Sequence, residues 1–525
     1  MPAPGTVDVV LKRTALALVA GLALALAFEP VALPVLLPVG VAGFALATRG
    51  LRARSGWIPG LVFGAAFYYT HIWWMRSVGT DAWLALAGIE ALFYGLLGSV
   101  AAVLHRRRWW PLWLATAWVS MEVWRSGWPF SGMPWGRLSF GVVDTPVADA
   151  LPYVGAIGVS FVLALGGTLL AALVVERGRA RRVVAGALVA GVVLLAVPVV
   201  APWSPTPTGE ATVAAVQGDV PGPGNNILYD APGVTRNHVE ATVELARQVE
   251  EGEAPRPDFV VWPENSTASD PFRAGEIRDG IDTAVDAIGV PVLVGGLVDG
   301  GPGHVLNQGI VWDPETGPGE RYTKWHPVPY GEWIPFRDFF TAQFGRLAMV
   351  PRDMLSGTRT SPLDIAGVPV ADAICFDVAY DDGIYAQVEN GAEMLVVQTS
   401  NATFIHTDQI DQQFAITRVR AMETGKWAVV AATNGVSGVI APDGTVVASA
   451  DPRTQEVLLE RLELNDAVTP GVRLAPWIGA ACLVATGLAL LAGLIPYRRR
   501  VRPAPVDDDS RELVTAGSPR GATRP

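Results

Sequence analysis

Val368-Pro-Val-Ala-Asp-Ala-Ile374-Cys375 is a short, β-branched, apolar run that ends in a thiol. Its length and composition predict a buried strand with a reactive group mounted at its end. Comparable runs lie on either side, at Ala211–Val216, Phe259–Trp262, Val290–Val294, Gly309–Trp312, Met394–Gln398, Val429–Ala432 and Val436–Ile440. Between them, Thr235–Glu251, Ala274–Ala287 and Asp411–Glu423 carry apolar residues at spacings of three and four, which predicts helices. Asp443-Gly444 is a hairpin signal between Val436–Ala441 and Thr445–Ala448. Strands alternating with helices imply an α/β layered domain. No internal repeat and no glycine-rich phosphate loop is visible.

Outside this region the composition changes. Half of the 525 residues are apolar, and they concentrate in residues 11–201 and 476–496 as runs of Ala, Leu, Val, Gly and Trp. Eight spans are predicted, at 11–27, 31–48, 57–75, 83–104, 109–125, 153–175, 182–201 and 476–496. Each is near the ~20 residues that a bilayer core requires. The chain then divides into residues 1–202 with seven spans, a soluble domain at 203–474, an eighth span at 475–497, and a tail at 498–525. The Pro-, Asp- and Arg-rich tail is expected to be disordered.

Basic residues set the orientation. Lys12 and Arg13 precede the first span; Arg49, Arg52 and Arg54 follow the second; Arg106, Arg107 and Arg108 follow the fourth. Arg177, Arg179, Arg181 and Arg182 follow the sixth, and Arg498, Arg499, Arg500 and Arg502 follow the eighth. Both termini are therefore expected in the cytoplasm and the 203–474 domain outside it. A cleavable signal peptide ending at Ala25-Leu26-Ala27 is the alternative for the first span. Cleavage would leave seven spans and the same orientation. The Trp-, Pro- and Gly-rich connection Ser126–Arg137 reads either as an interfacial aromatic belt or as a part that shapes a substrate site.

Charge divides as hydropathy does. Residues 203–474 hold 17 basic and 38 acidic side chains, a net of −21, against 22 and 12, a net of +10, in the remainder. An acidic outer domain excludes nucleic acid as a partner. The two cysteines, Cys375 and Cys482, sit in different environments and do not suit a disulfide. Lysine is scarce: only Lys12, Lys324 and Lys426 occur, against 36 Arg.

Three segments place reactive groups at strand ends. Phe259-Val-Val-Trp-Pro-Glu264 ends in a carboxylate, Arg321-Tyr-Thr-Lys324 in an amine, and Val370-Ala-Asp-Ala-Ile-Cys375 in a thiol. Singly, each has an ordinary explanation: a turn cap, a surface charge, a small core residue. Together they supply what acyl transfer through a thioester needs. A base makes the thiolate nucleophile, and a cation with an N–H donor stabilises the oxyanion.

In this order, Glu264, Lys324 and Cys375 resemble the catalytic set of the nitrilase (carbon–nitrogen hydrolase) superfamily. The flanks Lys324-Trp-His-Pro-Val-Pro-Tyr-Gly-Glu332-Trp-Ile-Pro, Ile374-Cys375-Phe-Asp377, Thr399-Ser-Asn401 and Arg418-Val-Arg420-Ala-Met-Glu resemble the apolipoprotein N-acyltransferase family. So does the placement of seven spans before the domain and one after it. The resemblance implies an α-β-β-α sandwich outside a multi-pass bacterial cell membrane. It implies that Glu264 is the general base, Cys375 the acylated nucleophile, and Lys324 with the Phe376 N–H the oxyanion partners, while Glu332 supports Lys324. The implied donor is a phospholipid, with phosphatidylethanolamine the family expectation, and the implied acceptor is the diacylglyceryl-cysteine of a lipoprotein. No cofactor or metal is implied. Relatives in some high-GC bacteria associate with a polyprenol-phosphate mannosyltransferase, an association that nothing in these residues establishes.

The chain departs from the family pattern at Phe376-Asp377, at Tyr229 where the family has Trp, and at Ser400-Asn401-Ala-Thr-Phe404. These changes bear on substrate preference more than on the reaction. A membrane-anchored nitrilase-type amidase is the alternative enzyme and an inactive scaffold the alternative non-enzyme. Residues 333–350 place Trp333, Phe336, Phe339, Phe340, Phe344 and Leu347 at spacings of three and four. That segment is either a core helix or a lid on the membrane surface.

Overall fold

The computed structural model describes residues 4–343 and 350–494. Seven helices precede the soluble domain: α1 Pro4–Ala25, α2 Leu36–Thr48, α3 Ala53–His71, α4 Thr80–Leu104, α5 Trp110–Gly127, α6 Leu151–Val175 and α7 Gly178–Val200. Among the described residues, four helical stretches are long and apolar enough to cross a membrane: Thr80–Leu104, Ala148–Val175, Gly178–Val200 and Pro470–Ala492. The expected second span is shorter than predicted. Its helix, α2, has 13 residues, about 20 Å, because residues 26–35 form turns and α2 begins only after Pro34.

Small residues let the helices meet closely. Cβ atoms added at Gly56 or Gly60 of α3 would strike backbone carbonyls of α4, and one at Gly98 of α4 would strike α3. Such contacts hold helices together where no hydrophobic force separates them from lipid. Within α1, Ala17, Ala20 and Leu24 are buried in the same core as α2 and α3.

The domain opens with β1 Gly209–Gln217, α8 Ala231–Glu250, β2 Phe259–Val261, α9 Gly275–Ile288, β3 Val292–Asp299, β4 His304–Asp313 and β5 Gly317–Thr323. It continues through α10 Arg337–Gln343, β6 Asp353–Met354, β7 Leu363–Ile365, β8 Val368–Ile374, α11 Asp382–Glu389, β9 Met394–Thr399, α12 Gln409–Thr424 and β10 Ala428–Ala432. β11 Gly438–Ile440, β12 Val446–Ser449, β13 Glu456–Leu464 and the closing helix α13 Pro470–Leu494 complete it. One sheet runs β13-β1-β2-β3-β4-β5, with β6 on β4; the other runs β12-β11-β10-β9-β8-β7. In each sheet the central steps are parallel, β1-β2-β3 and β8-β9-β10, and the outer ones antiparallel.

Strand alternation builds three layers of packing. Val213, Ala215 and Val261 face Val370, Val396 and Val429 between the sheets. On the outer face of the first sheet, Val216, Val260 and Trp262 pack against Leu245 of α8 and Ile281 of α9. On the outer face of the second, Ala371, Leu395 and Val430 pack against Ile384 of α11 and Ile416 of α12, in a core that continues into the membrane helices. The result is an α-β-β-α sandwich with one helical layer fused to the bundle.

Polar groups lock that joint. The Gln412 carboxamide on α12 accepts from Trp135 Nε1 at 2.7 Å and Trp74 Nε1 at 3.0 Å, and donates to the Glu29 and His71 carbonyls. Arg420 of α12 pairs with Asp381 at 2.8 Å and with Glu423 at 2.6 Å, and Asp381 also holds Arg137 of the Ser126–Arg137 loop at 2.7 Å.

The segment read as core helix or lid is helical only over α10 within the described residues. Phe336 and Phe339 are 73% and 63% exposed, which removes the core-helix reading for both. Phe344 and Leu347 lie outside the described residues, as does the tail from residue 498.

Candidate active site

Glu264, Lys324 and Cys375 come from three strand ends and meet across the gap between the sheets. Glu264 follows β2; a Cβ on Gly295 of β3 would collide with the Pro263 carbonyl, so only glycine lets this turn approach. Lys324 follows β5 and is fully buried. Its Nζ lies 2.7 Å from Glu332 Oε1 and 3.3 Å from Glu264 Oε1. The lysine backbone is fixed too: its N–H donates to the Asn307 carbonyl at 2.9 Å, and its carbonyl accepts from Gly357 N–H at 2.8 Å. Glu332 is held in turn by the Val328 N–H at 2.7 Å. Glu264 accepts from Asn307 Nδ2 at 2.7 Å and from the Ser400 N–H at 2.8 Å.

Cys375 ends β8 with φ +52°. That left-handed backbone, unusual for a side chain with a Cβ, turns the chain sharply into the 3₁₀ turn Cys375–Ala379. Asp377 staples the turn. Its carboxylate accepts from Tyr322 Oη and the Trp325 N–H, each at 3.0 Å, and from the His326 N–H at 2.7 Å. Asp377 thereby ties the cysteine turn to the loop that follows Lys324. The Phe376 ring stacks on Trp135 of the membrane loop at 5.9 Å and meets Tyr380 edge-on at 5.2 Å. Phe130 of the same loop contacts Tyr330 and Phe336.

Electrostatics separate the roles. Burial, then the neighbouring Glu264 charge, push the Cys375 thiol up to about 12, while Lys324 pulls it down. At neutral pH the resting sulfur is a thiol that needs a base. Burial by itself would discharge Lys324, but Glu264 and Glu332 outweigh it and hold the ammonium well above the usual lysine range. Burial also raises Glu332, against the pull of Lys324. Among the described residues no cluster of His, Cys, Asp and Glu suits a metal ion.

Of the remaining expected residues, Asn401 is buried beside the cysteine turn, accepting from Thr399 Oγ1 at 3.0 Å and donating to the Gly435 carbonyl at 2.8 Å. Tyr229 is not brought to the cluster: it is 65% exposed, its ring against Gly222. Sequence reasoning missed Asn307, and it reached Trp135 only as part of the Ser126–Arg137 connection read as a belt or a substrate-shaping segment. Adjacent polar residues Asn307 and Gln308 inside an apolar strand were the available signal for the first.

Two family models match the chain: the apolipoprotein N-acyltransferase N-terminal domain over residues 20–169 and the carbon-nitrogen hydrolase over residues 212–469. An apolipoprotein N-acyltransferase of Mycolicibacterium smegmatis is 38% identical over 92% of this chain and 85% of its own length. One from Ralstonia nicotianae is 30% identical over 87% and 88%, and one from Pseudomonas putida 27% over 91% and 97%. The chain belongs to the apolipoprotein N-acyltransferase family. It is an acyltransferase of lipoprotein biosynthesis, and its carbon–nitrogen hydrolase domain carries the Glu264–Lys324–Cys375 cluster.

Two outcomes follow for this apolipoprotein N-acyltransferase. In a Cys482→Ala background, iodoacetamide should alkylate Cys375 with a rate that keeps rising above the ordinary cysteine range near pH ~8.5. Glu264→Gln removes the charge that raises the thiol, so its midpoint should fall. A wild-type plateau in the ordinary range would refute the resting-thiol picture. Lys324→Arg keeps the charge but must fit a larger planar group into a fully buried clamp. Acylation of Cys375, followed by intact-protein mass spectrometry, should slow on the order of 10²-fold or more.

Proposed function

We propose that this acyltransferase takes a fatty acyl group from a phospholipid, carries it as a Cys375 thioester, and delivers it to the α-amine of the diacylglyceryl-cysteine of a lipoprotein. The observation that carries the reading is the buried Lys324 ammonium clamped between Glu264 and Glu332, beside the strand end that bears the thiol. Glu264 takes the Cys375 proton and the thiolate attacks the ester carbonyl. The tetrahedral oxyanion forms against Lys324 and the Phe376 N–H. Collapse breaks the ester C–O bond, and the lysophospholipid oxygen leaves with the proton from Glu264. In the second half, the amine attacks the thioester while Glu264 accepts its proton. Collapse breaks the C–S bond and returns it to the sulfur, leaving the amide and free thiol. Phosphatidylethanolamine is the donor we assign by family.

The eight-span arrangement is part of the same proposal, with both termini cytoplasmic and residues 203–474 outside. It is supported by the basic even-numbered connections and by the packing of α1 into the bundle. The amidase alternative gains nothing from this architecture, since a water-soluble amide does not require a catalytic sandwich fused to a membrane bundle.

The deciding experiment is mass spectrometry of the enzyme and of a model lipoprotein after incubation with phospholipid. Cys375→Ala should lose both the acyl-enzyme and the N-acyl product, and Cys482→Ala should keep both. An adduct that persists in Cys375→Ala would remove the assignment.

A lid role for the 333–350 segment is supported by exposed Phe336 and Phe339 next to the Lys324–Glu332 clamp. Phe336→Ser with Phe339→Ser should leave the melting temperature near wild type, because neither ring is buried. Acylation of Cys375 by phospholipid vesicles should slow, while a soluble short-chain ester still acylates it. Equal loss with both donors would discard the lid.

A further inference from the structure

Asp372 lies on β8, three residues before Cys375, and is fully buried. Its backbone is pinned: the N–H donates to Gln387 Oε1 at 3.0 Å, and the carbonyl accepts from Gln387 Nε2 at 2.9 Å. Its side chain is different. Neither carboxyl oxygen has a hydrogen-bond partner among the described residues. The group reaches across the gap between the sheets toward Gly309 of β4. A Cβ added at Gly309 would collide with both Asp372 Oδ2 and Gln398 Oε1, so the two oxygens converge on one point. Gln398 lies on β9 beside Ile374, and its Nε2 donates to the Trp262 carbonyl at 2.5 Å. That bond turns Oε1 toward Asp372, and Oε1 also lacks a donor.

Two acceptors facing each other in a dry interior repel, and each unmet oxygen carries a desolvation cost. One proton between them removes both defects. We infer that Asp372 is a positioning residue that works as a neutral carboxylic acid, its O–H donating to Gln398 Oε1. The Gln398 amide passes the constraint to the Trp262 carbonyl, and so to the turn that carries Glu264. A single chain of bonds then couples the cysteine strand of one sheet to the base strand of the other. Burial, then the nearby Asp377 charge, push the Asp372 carboxyl well above the usual range against the opposing pull of the Ala373 N–H, in agreement with this geometry. Asp377 and Tyr322, whose hydroxyl donates to Asp377, are the titratable groups that act on it or feel its charge. No Lys or Arg pairs with Asp372 among the described residues.

The catalytic consequence rests on Glu264 and Cys375 being base and nucleophile; the protonation does not. Infrared spectroscopy of the full-length protein at neutral pH should show a carboxylic acid C=O band that shifts in D2O and is missing from Asp372→Asn. Asp372→Leu, of similar size but without a donor, should acylate Cys375 roughly tenfold or more slowly at saturating donor, with donor affinity unchanged. Gln398→Met should show the same split with Asp372 intact. Asp372→Asn, whose amide N–H donates from the same place, should restore most of the rate that Asp372→Leu loses. Absence of the acid band overturns the neutral acid, whatever the rates. A full rate in Gln398→Met, or in folded Asp372→Leu, overturns the positioning role. If the wild-type protein forms no thioester, the reading of Cys375 fails and the infrared result still stands.

Discussion

A buried ammonium held by two carboxylates is the constraint around which the domain is arranged. Lys324 has lost its water entirely, and only Glu264 and Glu332 replace that solvation. Removing Lys324 would leave two carboxylates facing each other uncompensated in the interior, at a cost of about 3–5 kcal/mol. The cluster therefore cannot be built piecemeal. β2 must bring Glu264, β5 must bring Lys324, and the loop after β5 must fold back so that Glu332 meets the lysine eight residues upstream. Asn307 on the intervening β4 serves both ends, with its carbonyl on the Lys324 N–H and its amide on Glu264. Such a cluster is an expensive way to gain stability, and under the proposed mechanism its value lies in fixing charge where the oxyanion would form.

The thiol comes from the opposite sheet, so the distance between the sheets sets the chemistry. Residues with small or absent side chains define that distance. Gly295 lets the Glu264 turn descend onto β3, and Gly309 leaves room for Asp372 and Gln398. Asp377 then fastens the cysteine turn to the loop after Lys324 by three donors. The Asp377 bonds and the approach of Asp372 and Gln398 to Gly309 cross from one sheet to the other, so relative sliding of the sheets would break several at once.

Much of this was legible in the residues. β8 occupies the predicted Val368–Ile374, and the other apolar runs marked the strands that prove central in both sheets, because buried strands read as continuous apolar runs. Apart from β12, whose hairpin with β11 the Asp443-Gly444 signal predicted, the edges were not legible. β13, Glu456–Leu464, is an edge strand with charged residues among its leucines, and its spacing does not show the clean alternation of a half-buried strand. β5 contains Gly317, Pro318 and Gly319, which read as a turn. Val436 was expected to begin a strand, but β11 starts at Gly438 because Ser437 is drawn off to Gln217 and Ala432. The short α2 was hidden because apolar composition alone does not distinguish a helix from the turns preceding it. The triad could be read because its members end strands. Its supports, Asn307, Ser400 and Trp135, act through a backbone group or from another part of the chain, and linear spacing carries no record of that.

The fused helical layer connects architecture to chemistry. In a free sandwich both outer helical layers face water. Here α11 and α12 pack into the core of the bundle; Gln412 binds membrane-part groups with its whole hydrogen-bonding capacity, and Arg420 joins Asp381, the partner of Arg137, to the Val378 and Ala379 carbonyls of the cysteine turn. The loop Ser126–Arg137 is held by that joint, and its Trp135 lies against Phe376, next to the nucleophile. The bundle thus reaches the cysteine turn directly, through the Trp135–Phe376 ring pair, the Tyr380 hydroxyl on the Gly132 carbonyl, and Val378 and Ala379 in the shared core. Under the proposed reaction, whose donor and acceptor both reside in a membrane, this makes the bundle a wall of the site as well as an anchor.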